Sequence, residues 1–100
     1  MLILEIEDLI SKWKKIAGQR KGGAYTTTLC VVGDDIEKGI RHANNIISNY
    51  DFDNGKTVKE QCIELKAILK KAAERFDGPD KEGYVAGAIG QIAVEIGELY

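Results

Sequence analysis

Residues 83–100 read GYVAGAIGQIAVEIGELY, and two ladders run through them. Val85, Ile89, Ile92, Ile96 and Leu99 step by four, three, four, three. Gly83, Gly87, Gly90, Val94 and Gly97 repeat the same steps two residues earlier. At about 100° per residue, a two-residue offset sets the ladders roughly 200° apart on an α-helix. One side of this helix is bulky and apolar, and the other is nearly bare backbone. Glycine gives up about 1 kcal/mol against alanine inside a helix, so something outside the helix should make use of the missing side chains. Three uses fit: packing against a bulky neighbour such as the helix that carries Trp13, self-association through the same face, or a groove for a ligand or partner. Gly83, Gly87, Gly90 and Gly97 are therefore the expected helix-packing or oligomer-interface residues.

The remaining chain supplies three more amphipathic segments. Leu2, Ile6, Leu9, Trp13 and Ile16 mark a helix over 2–18, with acids early and lysines late, as the helix dipole favours. Gly18 is the expected stop. Leu29, Val32, Ile36, Ile40, Ala43, Ile47 and Tyr50 keep a helical period over 25–50. The β-branched start of that segment leaves residues 25–32 open to a strand reading, and Gly33 is a place where the helix could kink. After the Asn54-Gly55 turn, Thr57 and Glu60 match a capping box for a helix over 57–77. Its ladder is Val58, Cys62, Leu65, Leu69, Ala72 and Phe76, widened by Ile63 and Ile68. Gly78-Pro79 ends it, and the last helix spans 80–99.

Four helices with short connections predict one all-α domain over 1–100, an antiparallel four-helix bundle. The alternative is a unit completed by, or paired with, a second subunit. Apolar content of 44%, charged content of 30% and a net charge of −2 are those of an ordinary globular domain. No uncharged stretch reaches the about 20 residues of a membrane span, and early acids exclude a signal peptide. With Cys62 on an apolar ladder and Cys30 within an apolar stretch, reduced thiols and a cytoplasmic location are expected.

Motifs for chemistry are weak. The sole histidine, His42, lacks the Glu-x-x-His partner of a bundle metal site, so no metal or cofactor is expected. The segment Asp51-Phe52-Asp53-Asn54-Gly55 has its glycine one place too early for a calcium loop, and Cys62 stands where that loop needs glutamate. No nucleophile signature is present, and an enzyme is not expected. The best small-ligand motif is the loop and helix start over 19–28. There Arg20, Lys21, Gly22, Gly23, Tyr25 and Thr26 combine cations, flexible backbone and hydroxyls suited to an anion such as a nucleotide, with His42 or Asn45 completing the site. Lys12, Lys14, Lys15, Arg20 and Lys21 also raise a lesser nucleic-acid reading.

The leading expectation is a non-enzymatic helical interaction protein, homo-oligomeric, that regulates or inhibits a protein partner. The base rate for short helical chains without catalytic groups points to accessory proteins of phages or mobile elements. The sequestering of a small anionic ligand is the alternative.

Overall fold

The computed structural model describes the backbone of residues 2–21, 27–76 and 83–100, and the side chains within 2–18, 35–76 and 84–100. It is an antiparallel four-helix bundle: α1 (Leu2–Lys21), α2 (Thr27–Asn49), α3 (Val58–Glu74) and α4 (Gly83–Gly97). No strand occurs among the described residues, and residues 27–32 are helical. α2 continues through Gly33 without a break, and α1 runs three residues past Gly18. Glycine stops a helix only where the chain turns left-handed, and propensity alone is a weak prior. No described helix is long and apolar enough to cross a membrane.

The helices are not equivalent. α4 packs along α3 on one side and α2 on the other, and α2 packs along α1. α1 meets α4, and α2 meets α3, over short stretches only. The spatial order is therefore α1–α2–α4–α3, a flattened arrangement measuring 48 × 28 × 20 Å. The close α2–α4 approach follows from small side chains. A Cβ on Gly39 would stand 2.8 Å from Ala88 Cβ and 2.9 Å from the Val85 carbonyl oxygen. Gly39 thus lets two helix backbones draw together over Val85 and Ala88, and Ala43, one turn on along α2, is fully buried.

The core joins Leu2, Ile6, Ile10 and Ala17 of α1 with Ile40, Ala43 and Ile47 of α2. α3 adds Cys62, Leu65 and Leu69, and α4 adds Val85, Ile89, Ile92, Ala93 and Ile96. The bulky ladder of α4 is buried as its spacing predicts. The α1 stripe is rotated from its expected line. Ile10 and Ala17 lie inside, while Leu9 and Trp13 sit at the edge. Ile63 and Ile68 do not widen the α3 stripe; both are exposed.

The α2–α3 connection is built by side chains. Thr57 Oγ1 accepts from the Glu60 amide at 3.2 Å, and the Glu60 carboxylate accepts from the Thr57 amide at 3.4 Å, closing the capping box. Gln61 is a buried polar side chain, and its amide donates to Phe52 O at 2.8 Å and Asn54 Oδ1 at 3.1 Å. Gly55 takes φ +75°, the left-handed turn that glycine reaches without strain. Tyr50 and Phe52 meet edge to face beneath this turn, with ring centres 4.9 Å apart.

Candidate functional site

The outward face of α4 follows from the inward one. Burying Val85, Ala88, Ile89, Ile92, Ala93 and Ile96 fixes the rotation of the helix, so Tyr84, Gly87 and Gln91 turn outward. Gly90 and Val94 lie half-buried beside them. No charged residue occurs from Tyr84 to Val94, so three turns of this surface are uncharged. Tyr84 is 58% exposed.

The four glycines do not share one environment. Among the described residues a Cβ on Gly87 or Gly90 would meet nothing within 4 Å, so neither packs against the described part of the Trp13 helix. Gly97 differs: the aliphatic stem of Lys66 crosses it, and a Cβ there would lie 2.6 Å from Lys66 Cδ. That stem carries the lysine toward the C-terminal end of α4, where the helix dipole favours a cation. The surroundings of Gly83 lie outside the described residues.

The face is bounded on the α1 side by a polar seam. The Trp13 indole N–H donates to the Glu95 carboxylate, and Lys12 Nζ lies 3.4 Å from the same group. Tyr100 donates its hydroxyl to Glu5 Oε1 at 2.7 Å. That bond to a carboxylate, with some burial, holds the Tyr100 phenol above its ordinary value of 10.0. The indole needs a partner for its N–H, which places Trp13 at this edge rather than in the core. Between α1 and α4 the seam borders a shallow, open groove of about 410 Å³ lined by Glu5, Asp8, Leu9, Lys12, Glu95, Glu98 and Leu99. Its carboxylates make this flank acidic.

The residues expected to hold an anion are described only in part. Gly22, Gly23, Tyr25 and Thr26 lie outside the described residues. Arg20 and Lys21 belong to the last turn of α1, and their side chains also lie outside. His42 is half-buried against Phe76, with ring centres 4.8 Å apart and planes inclined at 47°. It helps join α2 to the end of α3. Asn45 is exposed. Cys62 is a free, buried thiol, and burial first, with the Glu5 charge second, pushes its pKa above 9.0. Such a thiol is a poor nucleophile. The side chain of Cys30 lies outside the described residues.

Gly39 was missed by the sequence reading as a packing residue. Its signal was the four-residue spacing to Ala43, the same kind of signal that drew attention to α4. Comparisons of the chain with protein-family models, with characterised proteins and with solved structures find no match.

Proposed function

We propose that this chain is a non-enzymatic helical interaction protein that self-associates through the outward face of α4 and regulates or inhibits a protein partner. One observation carries the reading: Gly87 and Gly90 weaken α4, and a Cβ on either would meet nothing within 4 Å among the described residues. Gly39 shows what a glycine in this fold does when its absent side chain is used inside the chain, since there a second backbone fills the room. At Gly87 and Gly90 the room is unfilled. Close approach by a helix of another copy offsets their propensity cost in the same way. The uncharged run from Tyr84 to Val94 fits that use, because charged residues are depleted at interface centres and tyrosine is enriched.

The test is the mass in solution. Light scattering at micromolar concentration is expected to give more than one chain for the wild type. Gly87→Leu is expected to give a folded single chain, since its side chain enters open space in the monomer and blocks a second backbone. A wild-type mass of one chain across the concentration range, with no change on Gly87→Leu, refutes self-association through this face.

A further inference from the structure

We infer that the cleft between α1 and α2 binds a small organic anion: an apolar or aromatic body carrying one phosphate or carboxylate. The cleft is half open, with a volume of about 440 Å³, and its described lining is Lys14, Ala17, Gly18, Glu37, Ile40 and Arg41. That volume falls within the roughly 300–1,000 Å³ of small-molecule pockets. Neither the α4 face nor any residue of the 19–28 loop enters this inference.

Three features of the cleft point the same way. Its floor is apolar, since Ala17 and Ile40 belong to the buried core. Gly18 lines the cleft without ending α1, and a Cβ there would meet nothing within 4 Å among the described residues. The missing side chain leaves open space that belongs to the cleft. Its rim is cationic on both walls. Lys14 stands on α1 and Arg41 on α2, both exposed, and neither makes an ion pair among the described residues. Glu37 shares the α2 wall and has an interaction of its own. Among the described lining residues two cations stand against one carboxylate, on a chain whose net charge is −2.

The division of labour follows from the chemistry. The Arg41 guanidinium offers a planar fork to a phosphate or carboxylate, and Lys14 adds a point charge from the facing helix. The body lies against Ala17 and Ile40, in the space left by Gly18. Inorganic phosphate reaches only the rim, and a neutral ring reaches only the floor. An occupant that satisfies both parts binds better than either fragment.

Phenyl phosphate, inorganic phosphate and phenol are titrated separately into the isotope-labelled full chain and followed by amide NMR. Phenyl phosphate is expected to shift the amides of Lys14, Ala17, Gly18, Ile40 and Arg41 as one saturable set, and the two fragments are expected to do so more weakly. Lys14→Ala and Arg41→Ala should each weaken binding about tenfold, the loss of one charge-assisted contact. Gly18→Leu places a side chain in the cleft and should abolish binding while keeping the helical circular dichroism. Shifts spread over lysines elsewhere, no saturable set in the cleft, or undiminished binding in Arg41→Ala each overturn the inference. The two rim variants decide the matter even where Gly18→Leu does not fold.

Discussion

Glycines in three places of this fold should respond to one methyl group with opposite signs. At Gly39 the added Cβ meets Ala88 Cβ at 2.8 Å and the Val85 carbonyl oxygen at 2.9 Å. Carbon pairs rest at about 3.5–4.0 Å, so α2 must withdraw from α4 by roughly 0.7 Å or more. Neither obstacle is the free end of a flexible side chain: one is the first atom of an alanine and the other is backbone. A radial gap of that size forfeits about a quarter to a half of each dispersion contact along the seam. Overpacking of this kind costs about 1–3 kcal/mol, and the upper end applies where nothing can rotate away. Alanine recovers about 1 kcal/mol of helix propensity, which leaves a net loss near 2 kcal/mol for Gly39→Ala. Gly87→Ala and Gly90→Ala meet nothing within 4 Å among the described residues, and each should gain about 1 kcal/mol. In a domain of this size 1 kcal/mol moves the melting temperature by about 4–8 °C. Gly87→Ala should therefore melt about 4–8 °C higher and Gly39→Ala about 8–16 °C lower. The assay is reversible thermal unfolding by far-ultraviolet circular dichroism, run dilute enough to keep single chains. A Gly39→Ala protein as stable as wild type refutes the account of the α2–α4 seam. A destabilised Gly87→Ala at that dilution refutes the open outward face.

Other perturbations address the turn, the capping box and the titrating groups. Gly55→Ala forces a side chain into φ +75° and should cost about 1 kcal/mol in urea unfolding with an unchanged m-value. Gln61→Leu removes the amide that holds the Phe52 carbonyl and Asn54, and urea unfolding should show a loss of about 1–3 kcal/mol. Thr57→Ala, which opens the capping box, should cost about 1 kcal/mol in the same assay. On the alkaline side, Cys62, Tyr50, Tyr100 and Lys56 all have pKa values raised by the fold. Burial acts first for Cys62 and Tyr50, a bond to Glu5 for Tyr100, and a bond to Glu64 for Lys56. Each group holds its proton more tightly folded than unfolded, so its stabilisation is complete below the unfolded pKa and is lost as pH rises through the folded one. The melting temperature should fall as pH rises past the ordinary thiol value of 9.0. Native Cys62 should also resist alkylation at pH values where the unfolded chain reacts, and fast native modification would count against its burial.

Legibility divided along a physical line. Periodicity reports which side of a helix faces inward, and for α4 it identified every fully buried isoleucine. Local chemistry was equally readable: Thr57 and Glu60 close the capping box their spacing announces. Periodicity does not report which helix stands opposite. Gly39 is unremarkable until Ala88 and Val85 are known to face it, and Gly87 and Gly90 draw attention although no described neighbour touches them. The α1 stripe went astray for a different reason. Hydrophobicity ranks Trp13 above Ala17, but the indole N–H needs an acceptor and finds Glu95 at the edge, while Ala17 is buried in the core. The 440 Å³ cleft was invisible for both reasons at once, since it depends on Gly18 staying helical and on Arg41 arriving from the opposite helix.

The close α2–α4 contact at Gly39 also carries an expectation about folding kinetics. α1 with α2, and α3 with α4, are pairs of helices adjacent in sequence, and each closes through a short connection. Such local contacts form quickly, because little chain entropy is lost before they are made. The α2–α4 seam is the long-range contact that joins the two pairs, with the turn after Tyr50 as their covalent tether, and the expected order is that the pairs form before they dock. A methyl group at Gly39 then burdens the docking step and leaves each pair intact. Its kinetic signature is faster unfolding with little change in the rate at which helices first appear.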